Sequence, residues 1–221
     1  MKSLLFDFGG TLDADGTTWI ERFYPLYKEE GIEAPQERFS RAFYASDDAL
    51  PERFALRDLS LEGTLALQVG CVLETLAPDR VDAGEMIVGR FLRESRRHFE
   101  RNKPLLERLR KKYRLAVVSN FYGNLESVLV SEGLRGLFDA VADSGVVGSL
   151  KPSAGLFEHA LRALDSSAEE AVMVGDSIPR DMRGAEGLGM KHAWLSSGKG
   201  APCCPQSWSL ASLPELEPLL S

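Results

Sequence analysis

Residues 2–12 read KSLLFDFGGTL, a short apolar run that closes on an aspartate, two glycines and a threonine. The run is apolar on both faces and has the length of a strand, so residues 2–8 are predicted to form a buried β-strand. In open parallel sheets, ligands bind beyond the carboxyl ends of the strands. Asp7, near the end of this run, is therefore a candidate functional carboxylate.

Further apolar runs of strand length follow later in the chain, at 114–119, 138–142, 171–174 and 191–195. Helical patterns of roughly 10–15 residues accompany them, at 102–112, 123–132, 153–165 and 179–189. Strands that alternate with helices indicate βαβ units with right-handed crossovers. The predicted fold class is α/β, with a three-layer, Rossmann-like core around a parallel sheet.

Roughly 100 residues separate the first two predicted strands, whereas a crossover needs only about a dozen. This segment has no strand pattern and contains helical stretches at 18–30, 35–48, 59–77 and 82–100. Trp19, Phe23 and Tyr27 are spaced four apart, so they are predicted to form the buried face of the first of these helices. We therefore expect an α-helical cap at residues 16–99, inserted into a core made of residues 1–15 and 100–221.

The overall charge restricts the classes of partner. A net charge of −7 argues against nucleic acid or an anionic membrane as the main partner. No run of about 18 apolar residues is present, and the apolar start of the chain is too short for a signal peptide. A cytoplasmic protein is therefore expected. Cys71, Cys203 and Cys204 lack the spacing of a metal site and are expected to be reduced thiols.

Polar residues lie at or beyond the ends of the predicted strands, namely Asp7, Ser119, Asn120, Lys151, Asp176 and Asp181. In a parallel sheet these side chains would converge on one crevice. Converging carboxylates repel one another unless a cation lies among them, and Mg²⁺ commonly binds one or two carboxylates together with substrate phosphate and water. The pattern predicts a magnesium-dependent phosphoryl-transfer site, where Lys151 and the ion neutralise a phosphate dianion and Asp7 attacks phosphorus in line.

Four motifs carry a family resemblance: Asp7-x-Gly9-Gly10-Thr11-Leu12, Ser119-Asn120, Lys151-Pro152 and Gly175-Asp176-Ser177-x-x-x-Asp181. In this order they resemble the four motifs of the haloacid dehalogenase-like (HAD) hydrolases. Residues 184–190, GAEGLGM, also resemble the helix after the fourth motif of that family. The resemblance covers residues 1–15 and 100–195, and the place of the insert is similar to that of the subgroup with an α-helical cap after the first motif.

The resemblance implies a role for each motif residue. Asp7 would be the nucleophile that forms a phospho-aspartyl intermediate, assisted by Ser119 and Lys151. Phosphate would be bound by Gly10, Ser119, Asn120 and Lys151, and Mg²⁺ by Asp7, the Gly9 carbonyl oxygen, Asp176 and Asp181. The expected protein is a magnesium-dependent phosphatase of a small phosphorylated metabolite, as a monomer or homodimer.

Position 9 departs from the family pattern. Most phosphatases of this family carry a second aspartate two residues after the nucleophile, which protonates the leaving oxygen and then activates water. Gly9 cannot transfer a proton, and positioned acid–base catalysis is typically worth about 10²–10⁴ in rate. Either the substrate has a good leaving group, or another carboxylate (Asp13, Asp15 or a cap residue) substitutes, or the protein is a weak relative that binds a phosphorylated ligand.

Two other branches of the family also lack the second aspartate. The 2-haloacid dehalogenases attack carbon and need neither metal nor leaving-group acid, whereas Asp176 and Asp181 together favour a cation. Phosphonoacetaldehyde hydrolases use a cap lysine that forms a Schiff base. Lys28 is the only lysine between Lys2 and Lys103, but its surroundings are typical of an exposed helix end.

Overall fold

The computed structural model describes residues 1–197 and 207–220. Within these residues, six parallel strands form one sheet in the order β3-β2-β1-β4-β5-β6. Their bounds are Ser3–Phe6, Arg114–Ser119, Ala140–Asp143, Ala171–Gly175, Lys191–Leu195 and Ser207–Leu210 for β1 to β6. The five strands expected from the sequence are confirmed. The sixth was missed because its sequence, SWSL, is half polar.

The described residues also form helices α1 to α9, with bounds Trp19–Glu29, Gln36–Arg53, Leu61–Leu76, Gly84–Arg110, Leu125–Ser131, Ser144–Val147, Ala154–Ala163, Arg183–Gly187 and Leu216–Leu219. A π-helical turn, Ile178–Met182, precedes α8. The helices predicted at 82–100 and 102–112 form a single helix, α4, so the predicted break near residue 101 is wrong. Pro104 lies inside α4 without ending it, and Asn102 is buried with its side-chain amide donating to the Leu12 carbonyl at 3.1 Å.

Alternate residues of the central strands enter two separate apolar cores, one on each face of the sheet. Leu4 and Phe6 of β1 belong to the core that includes Leu109 of α4 and Val128 of α5. Leu5 belongs to the other core, with residues of α7. Because side chains of a strand point alternately to opposite faces, this division places helices on both sides of the sheet. The three-layer α/β core is confirmed.

The long connection from β1 to β2 is helical, as expected. Helix α1 begins at Trp19 because Thr18 and Glu21 form a capping box. Phe23 and Tyr27 are buried, and the Phe23 ring stacks on Phe91 of α4 with centroids 4.0 Å apart. The apolar core of these helices is continuous with one face of the sheet. The boundary expected at residue 99 falls inside α4, and the division into cap and core stays a prediction.

Cys71 is a buried free thiol in α3. Cys203 and Cys204 lie outside the described residues. Within residues 1–197 and 207–220, none of the helices combines the length and the apolar character that a membrane span requires.

Candidate active site

Asp7 lies directly after β1, and its carboxylate is held by two donors from other elements. Its Oδ1 accepts a hydrogen bond from Ser119 Oγ at 2.7 Å and pairs with Lys151 Nζ at 2.7 Å. Only 7% of Asp7 is exposed. Ser119 is the last residue of β2 and Lys151 follows α6, so the parallel strands bring three distant parts of the chain to one carboxylate.

Asp176 and Asp181 complete an acidic cluster with Asp7. One carboxylate oxygen from each of the three residues lies within 4.8 Å of the other two. Asp181 Oδ1 pairs with Lys151 Nζ at 2.6 Å, and its Oδ2 accepts the backbone N–H of Ser177 at 3.0 Å. Asp181 is fully buried, so it does not lie on an exposed helix face.

Two glycines make room for this cluster. A methyl group built on Gly10, which has φ +83°, would lie 2.6 Å from Asp176 Oδ2. A methyl group built on Gly175 would overlap the Asp181 carboxylate. The glycines in the first and fourth motifs therefore allow the carboxylates to approach the backbone closely.

The electrostatics of the cluster show a shortage of positive charge. Burial lowers the pKa of the Lys151 ammonium, but Asp181 and Asp7 outweigh burial and hold its pKa above the ordinary value. Burial raises the pKa of Asp181 to about 6 against the effect of Lys151. Burial, with Asp7 and Asp181 nearby, raises the pKa of Asp176 well above its usual range. Three carboxylates thus share one ammonium.

The cluster fits a hard divalent cation. Asp176 forms no ion pair with any lysine or arginine in the described part of the chain, and its Oδ1 receives a hydrogen bond from Thr11 Oγ1 at 3.2 Å. Carboxylate oxygens that converge without enough counter-charge are the donor set that Mg²⁺ prefers. The Asp7, Asp176 and Asp181 side chains expected to bind metal are all present in this cluster.

Two predicted phosphate-binding residues make contacts within the protein. The Asn120 side chain bonds the backbone of Lys151 twice, donating to its carbonyl at 3.1 Å and accepting its N–H at 2.7 Å. The Gly10 N–H donates to Asp13 Oδ1 at 2.7 Å. Asn120 lines the cavity next to Asp7, and phosphate binding by Asn120 and Gly10 stays a prediction.

Trp19 occupies the space beside Gly9. A methyl group built on Gly9 would lie 2.9 Å from Trp19 Nε1 and 3.2 Å from Cε2. The indole packs edge-on against Phe91 and Phe121. Its Nε1 donates to Asp13 Oδ2 at 2.8 Å. An indole therefore stands where the acidic side chain of most family phosphatases would begin.

Asp13 and Asp15 are both engaged by other groups. Asp13 is fully buried and accepts hydrogen bonds from Gly10, Trp19 and Arg22. Asp15 forms a two-bond pair with Arg101 at 2.6 and 2.8 Å. Neither lines the cavity next to Asp7, so the structure argues against both as the substitute acid.

Several residues of the cavity escaped the sequence analysis, among them Asp47 of α2, Tyr122 and Arg180. Tyr122 and Arg180 lie just beyond the ends of β2 and β4, so the strand-end rule applied a few residues further would have found them. Asp47 carries no such local signal, because only the packing of the insert brings it to the cavity.

Comparison with known proteins shows the family to which the chain belongs. The model described as "Hydrolase: haloacid dehalogenase-like hydrolase" matches residues 1–189. The chain belongs to the haloacid dehalogenase-like hydrolase family. Phosphoserine phosphatase of Thermus thermophilus is 39% identical over 112 residues, which cover 49% of this HAD hydrolase and 45% of that protein. The chain spans about half the length of the curated relatives it matches.

Solved structures share the fold of this HAD hydrolase over nearly its whole length. YfnB of Bacillus subtilis, whose crystal structure was solved with magnesium bound, superposes with a TM-score of 0.60 at 19% identity and covers 99% of this chain and 98% of its own. The 2-haloacid dehalogenase of Pseudomonas syringae pv. Tomato DC3000 has a TM-score of 0.57 at 23% identity, and the match covers 100% of this chain and 98% of that protein. At this level of identity the likeness supports the fold alone.

Proposed function

We propose that this HAD hydrolase is a magnesium-dependent phosphatase of a small phosphorylated molecule, with Asp7 as the nucleophile. The observation that carries the proposal is the pairing of the Asp7 carboxylate with Lys151 Nζ at 2.7 Å, beside two further carboxylates. A nucleophilic carboxylate and a phosphate dianion repel each other, so the reaction needs cationic groups on both. Relatives named as phosphatases support the choice of substrate class.

The residues around Asp7 prepare it for attack. Lys151 donates to the Val118 carbonyl at 2.9 Å as well as to Asp7 and Asp181, which fixes the ammonium against the nucleophile. Ser119 Oγ holds the same Asp7 oxygen and can turn its donor to a phosphate oxygen when substrate binds. These contacts orient the carboxylate before the reaction begins.

Two displacements at phosphorus complete the proposed reaction. An Asp7 oxygen forms a bond to phosphorus while the bond to the leaving oxygen breaks, and the leaving oxygen takes the electron pair and a proton. Water then attacks phosphorus of the phospho-aspartate, which releases inorganic phosphate and restores the Asp7 carboxylate. Asp7, Asp176, Asp181 and the Gly9 carbonyl oxygen would hold Mg²⁺, whose charge offsets the repulsion between carboxylate and phosphate.

The test is turnover of acetyl phosphate and p-nitrophenyl phosphate with and without Mg²⁺. We expect hydrolysis that EDTA abolishes and added Mg²⁺ restores, with phosphate trapped on the wild-type protein by acid quench. Asp7→Asn should lose both turnover and the trapped phosphate. Turnover by Asp7→Asn at the wild-type rate would overturn the proposal.

The other branches of the family have less support in the site. Dehalogenation would use Asp7 as the nucleophile on carbon but would need no metal at Asp176 and Asp181, and it predicts EDTA-resistant turnover of 2-haloacids. Phosphonatase chemistry would require Lys28, which is exposed on α1 with its Nζ 5.6 Å from the Tyr24 ring centroid, and which does not line the cavity.

A further inference from the structure

The cavity next to Asp7 has a volume of about 140 Å³, and its lining includes aromatic side chains from the insert and from the loop after β2. Three carboxylates line it within the described residues: Asp7, Asp176 and Asp47. Asp7 and Asp176 belong to the acidic cluster. Asp47 comes from α2 in the insert, and the reaction described above does not use it.

The Asp47 carboxylate is fixed through one oxygen only. Its Oδ1 accepts hydrogen bonds from Tyr122 Oη at 2.7 Å and from Gln68 Nε2. Its Oδ2 accepts none from residues 1–197 or 207–220. The two donors hold the orientation of the group and leave the second oxygen for a ligand in the cavity.

Both donors are themselves held in place. Gln68 of α3 is 1% exposed. The loop that carries Tyr122 is fixed by Asp143, whose two oxygens accept the backbone N–H groups of Gly123 and Leu125 at 3.0 and 2.9 Å. Asp47 is thus positioned by a rigid framework, as an acid–base group requires.

Three other positions near the cavity are poor sources of the proton. Position 9 has no acidic side chain, and the Trp19 indole fills the space beside it. Lys151 Nζ already donates to three acceptors, Val118, Asp7 and Asp181. Burial raises the pKa of the Tyr122 hydroxyl well above its ordinary value, which makes it a poor proton donor.

We propose that Asp47 is the acid–base residue of the reaction and that it replaces, from the insert, the carboxyl group that position 9 lacks. This inference rests on the phosphatase function proposed above. As the bond between phosphorus and the leaving oxygen breaks, the Asp47 carboxyl transfers its proton to that oxygen, and the Asp7–phosphorus bond forms. In the second displacement the Asp47 carboxylate takes a proton from the attacking water.

The surroundings of Asp47 suit both steps. Burial raises its pKa to about 6, against hydrogen bonds from Tyr122 and Gln68 and the more distant Arg180, while Asp48 on the same helix raises it further. A group with a pKa near the working pH is present both as acid and as base, which is where general acid–base catalysis is most efficient.

Leaving-group dependence tests the inference. The rates of wild-type protein and of Asp47→Asn are measured on acetyl phosphate, p-nitrophenyl phosphate and ethyl phosphate with Mg²⁺. Ethanol leaves poorly without a proton, so we expect kcat/KM for ethyl phosphate to fall by about 10²-fold or more in Asp47→Asn. The value for acetyl phosphate should change by less than about fivefold, because its leaving group needs little protonation. Asp48→Asn, a substitution of the exposed neighbour, is the matched control and should keep the wild-type ratio of kcat/KM between ethyl phosphate and acetyl phosphate.

The pH profile provides a second readout. With the wild type, kcat/KM for ethyl phosphate should fall above a pH of about 6, where Asp47 loses its proton, and Asp47→Asn should lack that limb. Equal losses on all three substrates, or no loss on ethyl phosphate, would overturn the role of Asp47 and leave the phosphatase function standing. A wild type that hydrolyses none of the three, acetyl phosphate included, would overturn both.

Discussion

Arg22 Nη1 lies 2.7 Å from Asp13 Oδ2, and both side chains are almost completely buried. Asp13 belongs to the loop after β1 and Arg22 to α1, so this ion pair joins the helical insert to the loop that carries Asp7. Arg22 also donates to Ser95 of α4 at 2.7 Å and lies 3.8 Å above the Phe91 ring. The pair therefore fixes α1, and with it Trp19, against the nucleophile loop.

Breaking that pair should be costly. Arg22→Ala leaves the Asp13 carboxylate buried without its cation, which typically costs about 3–5 kcal/mol. We expect a loss of this size in the free energy of unfolding, measured by urea denaturation at pH 7. Arg41→Ala is the matched control, since the Arg41–Glu37 pair is exposed and exposed pairs are worth about 0–1 kcal/mol. Similar losses of stability in the two variants would contradict the conclusion that the Asp13–Arg22 pair holds α1 against the loop after β1.

Introducing the family's aspartate at position 9 should not increase activity on alkyl phosphates as long as Trp19 is present. Gly9→Asp places an extra carbon within 2.9 Å of the Trp19 indole, and overpacking of this kind costs about 1–3 kcal/mol. We expect lower stability and no gain on ethyl phosphate. Gly9→Asp combined with Trp19→Ala should raise the ratio of ethyl phosphate to p-nitrophenyl phosphate turnover above that of Trp19→Ala alone.

Gly136→Asp is the control for the added charge, because Gly136 is exposed and a methyl group built on it meets nothing within 4 Å. It should leave stability and the turnover ratio unchanged. A stable and more active Gly9→Asp single variant would show that Trp19 does not govern this position.

The glycine before Asp176 should be essential for placing the acidic cluster. A methyl group at Gly175 would overlap the Asp181 carboxylate, so Gly175→Ala is expected to displace that group and weaken Mg²⁺ binding by about tenfold or more, a loss of about 1.4 kcal/mol. Calorimetric titration with Mg²⁺ measures this without turnover. Gly187→Ala, where nothing lies within 4 Å of the added carbon, should bind Mg²⁺ as the wild type does; equal affinities in both variants would count against the site.

The raised pKa of Asp47 predicts a pH dependence of stability. Between about pH 4 and pH 6 the folded protein keeps the Asp47 proton, whereas the unfolded chain has lost it. Because the folded state then binds more protons, this group makes the protein less stable as pH rises through that window. The Asp47→Asn variant lacks this contribution, so its stability relative to wild type should increase from pH 4 to pH 7 by about 2 kcal/mol.

Urea denaturation of both proteins at the two pH values measures the difference, and Asp48→Asn serves as the control on the same helix. Asn at position 47 retains an oxygen that can accept from Tyr122 and Gln68, so the comparison isolates the charge. A pH-independent difference would mean that Asp47 titrates as an ordinary exposed carboxyl.

The residues at the strand ends show what can be predicted from local patterns in the sequence. Asp7, Ser119 and Asp176 were predictable because each lies at the end of an apolar run of strand length, and parallel strands bring their carboxyl ends to one edge. The insert was predictable from the length of a segment without strands. The break near residue 101 was predicted wrongly because the apolar pattern of the sequence is the same for one continuous helix as for two helices separated by a short turn.

The sequence by itself determined the parallel α/β core, the inserted helices and the acidic residues that meet at the sheet edge, because hydrophobic periodicity and strand ends are local properties of the chain. Only the tertiary structure decided what surrounds position 9. Trp19 fills the space beside Gly9, and Asp47 faces the nucleophile's cavity from another helix. These contacts join residues of different elements, and they depend on how helices pack rather than on any spacing within a single element.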